Sequence, residues 1–291
     1  MKTRKSRVYQ VIGAMCLILG VLLLNYPTVV TTYNNITVAH QPKKGDLDSP
    51  SVNKIIEEAE KYNKSIKNQP IYDPWNPENR GLENSDYKKY KETLSFKDGI
   101  IGKIFIPKIS VSIPVYHDST DEVLNKGVGH IFGSYLPVGG GKSILTGHRG
   151  MTSATMFDNL PELTKGDEVY MFFGGQKRAW RVKDQVTILP TEINELTKDM
   201  DEDSLYLVTC TPYGVNTHRL IVIAERAKDL EKNKYPNIDD SIPEWWKGVP
   251  WWAWIIYGVD LSGTIGIVIL HMRENKTRKS SKRDLKVLCK I

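Results

Sequence analysis

Three residue types define the chemistry open to this chain: a cysteine that can attack, histidines that can take or return its proton, and an arginine that can hold developing negative charge. In LVTCTPYGVNTHRL, Leu207 to Leu220, Cys210 ends an apolar run and Arg219 follows nine residues later, across a turn rich in Pro, Gly and Asn. A thiol is a useful nucleophile only as thiolate, and an ordinary cysteine with a pKa of about 8.5 is mostly protonated at neutral pH. A partner must take the proton or supply positive charge. The partner can be one of six histidines, His40, His117, His130, His148, His218 and His271. His40 and His271 fall beside the apolar end segments, His117 and His130 sit in strand-like runs that favour a structural role, and His218 should face away from its neighbour Arg219 in a strand. His148 ends the strand SILTG and opens GHRGMTSATMF, a Gly-flanked turn of the kind that presents reactive side chains. Spacing alone leaves its pairing with Cys210 open, because 62 residues separate them.

Cys210 and Arg219 are joined by local structure. Leu205 to Cys210 and His218 to Glu225 read as two strands linked by a seven-residue connection, a hairpin with the two residues near opposite ends of its loop. A guanidinium so placed can stabilise an oxyanion at a carbonyl under attack, or it can simply pair with an acid.

The elements that must position these groups follow from the wider pattern. From Ile101 onward come eight short β-branched runs broken by Gly/Pro turns: GKIFIPKI, SIPVYH, KGVGHIFG, KSILTGH, DEVYMFF, AWRVKDQVTIL, SLYLVTC and HRLIVIAER. They predict a mainly β fold, a closed barrel or a sandwich, with TSATMFDNLPEL as a helical insertion. Upstream, SPSVNKIIEEAEKYNKSI has helical spacing with Ser49 or Ser51 available as a cap, and DYKKYKETL makes a short second helix. Between them NQPIYDPWNPENRGLEN, Asn68 to Asn84, reads as an irregular loop.

The ends of the chain speak of a membrane. Net charge is +6, but Lys2, Arg4, Lys5 and Arg7 precede the first apolar run and eight Lys/Arg, Arg273 to Lys290, follow the last. Residues 31 to 250 hold 28 Lys/Arg against 31 Asp/Glu, which gives no support to nucleic-acid binding. Val8 to Tyr26 is uncharged and long enough for a transmembrane helix, with a cleaved signal peptide as the alternative. Trp251 to Leu270 is a second span with Asp260 near its middle, and five of the seven tryptophans crowd its N-terminal edge. The positive-inside rule then puts both termini in the cytoplasm and residues 31 to 250 outside. This topology separates Cys16, Cys210 and Cys289, so no disulfide forms within the chain and Cys210 is an unpaired exterior thiol. No Cys/His cluster has metal-ligand spacing, and neither metal nor cofactor is expected.

TCTPYGVNTHR together with LTGHRGMTSATMFDNLPELTKGDEVY resembles the sortase family of Gram-positive cell-surface transpeptidases, specifically the pilus-assembling class C. The resemblance covers roughly residues 50 to 230 and the two spans. It implies a closed eight-stranded sortase-type β-barrel, with His148 as general acid/base, Cys210 as nucleophile and Arg219 as substrate and oxyanion stabiliser. Class C sortases carry a lid with an Asp-Pro-aromatic motif, which Asp73, Pro74 and Trp75 match; read alone, without the resemblance, this loop is better taken as an ordinary surface loop with a packed Trp. The implied organisation is a basic tail and membrane helix (1–30), a helical extension with the lid (31–98), the catalytic barrel (99–230), a stalk (231–250), a second membrane helix (251–271) and a basic cytoplasmic tail (272–291). The implied reaction cleaves an LPXTG-like sorting signal through a Cys thioester and joins pilin subunits through a lysine isopeptide bond. Alternatives are anchoring of surface proteins to a cell-wall precursor, another Cys/His peptidase or transpeptidase, and a membrane-tethered thiol redox or adhesion protein.

Overall fold

The computed structural model describes residues 2–41, 47, 51–66, 71, 73, 75, 85–151, 153–173, 176–233, 236, 249, 252–267 and 269. Pro74, most of the stalk, His271, Cys289 and the basic C-terminal tail lie outside the described residues. The chain divides into two compact units, Thr31–Gly248 and a second made of Met1–Val30 with Val249–Ile291.

In the larger unit the eight expected runs form eight strands: β1 Ile100–Ile106, β2 Val111–His117, β3 Val128–His130, β4 Ser143–Thr146, β5 Glu168–Phe173, β6 Gln176–Ile188, β7 Ser204–Thr211 and β8 His218–Arg226. They close into a barrel in the order β1-β2-β3-β4-β7-β8-β6-β5, which leaves no free edge. Inward-facing Ile104, Val115, Val128, Leu145, Val169, Leu205, Leu207 and Val222 fill the core. Burying such a side chain is worth about 1.5–3 kcal/mol, and β-branched residues suit the pleated wall.

Two of the pairings are parallel, β2 with β3 and β4 with β7. The second matters most for the site. It aligns Thr146 with Val208, so the C-terminal ends of β4 and β7 emerge side by side.

Helices α2 (Val52–Ser65) and α3 (Ser85–Glu92) lie on the barrel where the amphipathic pattern predicted them. α2 buries Ile56, Ala59 and Tyr62. Asn63 fixes it: its amide donates to the Leu136 and Gly139 carbonyls at 2.9 Å each, and its oxygen accepts from the Leu136 N–H at 2.8 Å. Ser51 stands at the N-cap position without a side-chain capping bond.

Three local expectations give way. TSATMFDNLPEL makes turns and one short 3-10 segment, Leu160–Glu162, instead of a helix. Its backbone bonds run to i−3 or out to the loop before it, with the Phe157 N–H donating to the His148 carbonyl at 3.0 Å, and Pro161 ends any i−4 ladder. Helix α4 (Asp121–Lys126), which the sequence pattern missed, begins at Thr120, whose hydroxyl accepts from the Val123 N–H at 3.4 Å. It is too short for periodicity to reveal. β3 stops at His130, because the chain turns directly afterwards, the Ser134 N–H donating to the Ile131 carbonyl at 3.2 Å.

α1 is one unbroken helix from Lys2 to Ala39, through Pro27 and well past Tyr26. Within it Met15–Ala39 is long and apolar enough to cross a membrane. The outer turns belong to the larger unit, where Asn34 donates to the Ser153 carbonyl and Asn35 accepts from the Thr155 N–H, both at 2.9 Å. Lys103 on β1 donates to the Ala39 carbonyl at 2.6 Å, placing a cation on the negative end of the helix. In the smaller unit a helix spans 252–267, α6, after the short α5 (Lys228–Glu231) of the larger one. There the Asn25 amide donates to the Asp260 carboxylate, giving the one acid of α6 a polar partner on α1.

Candidate active site

Cys210 and Arg219 are direct cross-strand partners in the antiparallel β7–β8 pair. Residues opposite each other in such a pair share a face of the sheet, so the guanidinium projects on the same side as the sulfur. Both are buried, at 5% and 6% exposure. His148 arrives from the other side. The β4–β7 register, carried two residues beyond its last pair, Thr146 with Val208, brings His148 to the same end of the barrel as Cys210. The last rung there is Gly147 N–H to the Val208 carbonyl at 3.2 Å, reinforced by the Thr209 hydroxyl on the Gly147 carbonyl at 2.7 Å. Gly147 has a local reason to be glycine, since a Cβ would stand 2.9 Å from the buried Phe157 ring.

The loop residues Asp73 and Trp75 lie over this group. Asp73 makes a two-pronged contact with Arg219, Nε to Oδ1 at 3.1 Å and Nη2 to Oδ2 at 2.9 Å. Arg219 Nη1 donates to the Asn216 and His218 carbonyls at 3.1 and 3.2 Å, so all three guanidinium nitrogens are engaged. The guanidinium lies 4.7 Å from the Trp75 ring centroid, and that ring is 6.5 Å from the His148 ring. Trp75 thus touches both flanks of the site.

The Sortase domain family matches residues 104–227. Sortase C-1 from Actinomyces oris is 42% identical, with a TM-score of 0.58, and the match covers 62% of this chain and 99% of that one. The chain is a class C sortase. The Streptococcus pneumoniae sortase C, whose structure was described as bearing on catalysis and pilin substrate specificity, is 31% identical at a TM-score of 0.54, over 62% of this chain and 90% of its own. Sortase D of Bacillus subtilis is 28% identical over 178 residues, 60% of this chain and 88% of that protein. Sortases are cysteine transpeptidases, and of the three cysteines in this sortase only Cys210 falls in the matched region.

Burial sets the resting charges of the sortase site. It pushes the Cys210 thiol up, with Asp73 adding to the rise and Arg219 opposing it. The His148 imidazole is pushed down by burial, against a partial pull from Asp121 at the start of α4. Both shifts favour the uncharged form of their group. Three other described histidines have partners of their own. His130 is fully buried, between the Tyr90 hydroxyl at 2.9 Å and the Tyr135 carbonyl at 2.7 Å. His117 packs edge-on against Tyr90, with ring centroids 4.5 Å apart. His218 meets the Thr217 hydroxyl at 2.9 Å.

The sequence reading did not find Asp121, nor the group Arg149, Asp158 and Tyr213 beside the two site loops. Arg149 was within the quoted motif. Only the approach of the two loops shows that its side chain reaches the strand carrying Cys210.

Proposed function

We propose that Cys210 is the nucleophile, His148 the general acid/base and Arg219 the oxyanion and substrate stabiliser of this sortase. Cys210 attacks the Thr–Gly carbonyl of an LPXTG-like sorting signal while His148 takes the thiol proton. Collapse of the tetrahedral intermediate breaks the peptide bond, His148 returns the proton to the leaving glycine amine, and a thioester remains on Cys210. A lysine amine of a neighbouring pilin then attacks the thioester, His148 takes a proton from that nitrogen, and the thiol is regenerated as the isopeptide bond closes. Arg219 faces the oxyanion in both steps. The observation that carries this reading is the register pairing Cys210 with Arg219, next to the parallel strand end that bears His148.

The segment Asp73–Pro74–Trp75 acts as a lid in this account. While Asp73 holds Arg219 and Trp75 covers it, the guanidinium is not available to a substrate carbonyl, and entry of a sorting signal must displace both. The proposed topology places α1 and the 251–271 segment across the membrane, with both termini cytoplasmic and the barrel outside. The Asn25–Asp260 hydrogen bond supports pairing of the two spans, since an intramembrane acid needs a polar partner.

The test is polymerisation. Full-length protein in detergent is incubated with a subunit carrying both an LPXTG-like signal and an acceptor lysine, and products are separated under denaturing conditions. A covalent ladder that disappears when the acceptor lysine is changed to arginine is expected. Hydrolysis alone, or transfer only to a cell-wall-type amine, would overturn the pilus assignment.

A further inference from the structure

The backbone ladder between β4 and β7 ends at Gly147 and Val208, before either His148 or Cys210 is reached. Cys210 is still held by its pairing with β8, so it is the stretch carrying His148 that another contact must fix against the end of β7. Arg149, directly after His148, supplies it. Its Nη1 donates to the hydroxyl of Thr211, directly after Cys210, at 3.0 Å, and its Nε donates to the Asp158 carbonyl at 3.1 Å. The Asp158 carboxylate accepts the Gly150 N–H at 2.7 Å, and the Tyr213 hydroxyl stands 3.5 Å from its other oxygen. The guanidinium lies 5.6 Å from the Tyr213 ring centroid. Gly150, at φ +85°, sits in the left-handed region that favours glycine and turns the chain beside Gly214.

We infer that Arg149, seated on Asp158, is a positioning residue: it clasps the loop carrying His148 to the end of β7 that carries Cys210 and so sets the geometry of proton transfer between them. The inference rests on the assignment of His148 and Cys210 as the reacting pair. Arg149 is suited to the task because its planar fork reaches two acceptors in fixed directions, which a lysine cannot do. Asp158 is half-buried, and burial pushes its carboxyl up to about 6, while the Gly150 N–H, Arg149 and the Tyr213 hydroxyl pull it the other way.

The test uses full-length protein in detergent with an LPXTG peptide and an amine acceptor. Arg149→Met should lower kcat by on the order of 10²-fold with KM within about threefold, the effect of a reacting pair displaced by about 1 Å. Thr211→Val, which removes only the acceptor hydroxyl, should lower kcat about fivefold, as for one hydrogen bond, and the double variant should be no worse than Arg149→Met alone. Arg149→Lys should recover part of the loss. An unchanged kcat in Arg149→Met, a loss confined to KM, or additive effects in the double variant would each overturn the clasp. Should Arg149→Met fail to fold, Thr211→Val decides by the same kcat criterion. If wild type acylates at Cys210 and the clasp variants match it, only the clasp fails. If wild type forms no adduct at Cys210, the catalytic assignment fails and takes the clasp with it.

Discussion

Asp73→Ala should open the site, and the size of the effect follows from its contacts. Asp73 makes two charge-assisted hydrogen bonds to Arg219, both buried. Hydrogen bonds to charged groups contribute about 1.5–3 kcal/mol each. The lower figure, taken twice, gives about 3 kcal/mol favouring the closed lid, and with a tenfold change per 1.4 kcal/mol its loss raises the open population about 10²-fold. Cys210 is almost fully covered, so a thiol reagent reacts through the open form and its rate should rise by the same factor. Asp73 also raises the thiol pKa, whereas Arg219 lowers it. The pH midpoint of alkylation should therefore move down in the variant. The assay is the second-order rate of iodoacetamide addition to Cys210, read by intact mass across a pH series in full-length protein. A rate within about twofold of wild type, with an unmoved midpoint, would refute both the lid and the electrostatic argument.

Trp75→Ala removes one cation–π contact worth about 1 kcal/mol and should raise the same alkylation rate about fivefold. Arg219→Lys keeps the charge but loses the fork, and peptide cleavage should fall about 10²–10³-fold in kcat while Cys210 remains alkylatable. Burial holds His130 at about 4 and His117 at about 3, the latter helped by His130, both below the ordinary value. The folded state thus binds fewer protons than the unfolded one, so stability is lost as pH falls from about 6.5 toward 4, by up to roughly 1.4 kcal/mol per pH unit for each histidine. Replacing His117 with Phe, which keeps the ring edge-on to Tyr90, should about halve that slope in denaturant titrations; an unchanged slope would contradict the assignment.

The strands were readable because β-branched runs alternate with Gly/Pro turns, but eight runs that bury one face suit a sandwich as well as a barrel, and only the family resemblance implied closure. Register and neighbour relations were less accessible. The hairpin joining Leu207 to Leu220 could be read locally, but the direct pairing of Cys210 with Arg219 depends on β7 extending to Thr211 and β8 beginning at His218. The closeness of His148 comes from a parallel pairing between strands far apart in sequence, which no local pattern encodes. The stretch TSATMFDNLPEL reads as a helix because its apolar spacing mimics one. In the fold, Met156 and Phe157 are buried while Asp158 bonds back to Gly150, so tertiary contacts override the pattern. By themselves Asp73 and Trp75 read as loop residues, and only the family resemblance marks them as a lid; the geometry of their contacts with Arg219 emerges in three dimensions.

The central claim is that Cys210 carries an acyl intermediate. Full-length protein and its Asp73→Ala variant, incubated with an LPXTG peptide and quenched in acid before an amine acceptor is added, should gain the mass of the peptide truncated after Thr. Fragmentation should place the adduct on Cys210, and hydroxylamine should release it. Absence of that adduct in both proteins, or its persistence in Cys210→Ala, would contradict the account.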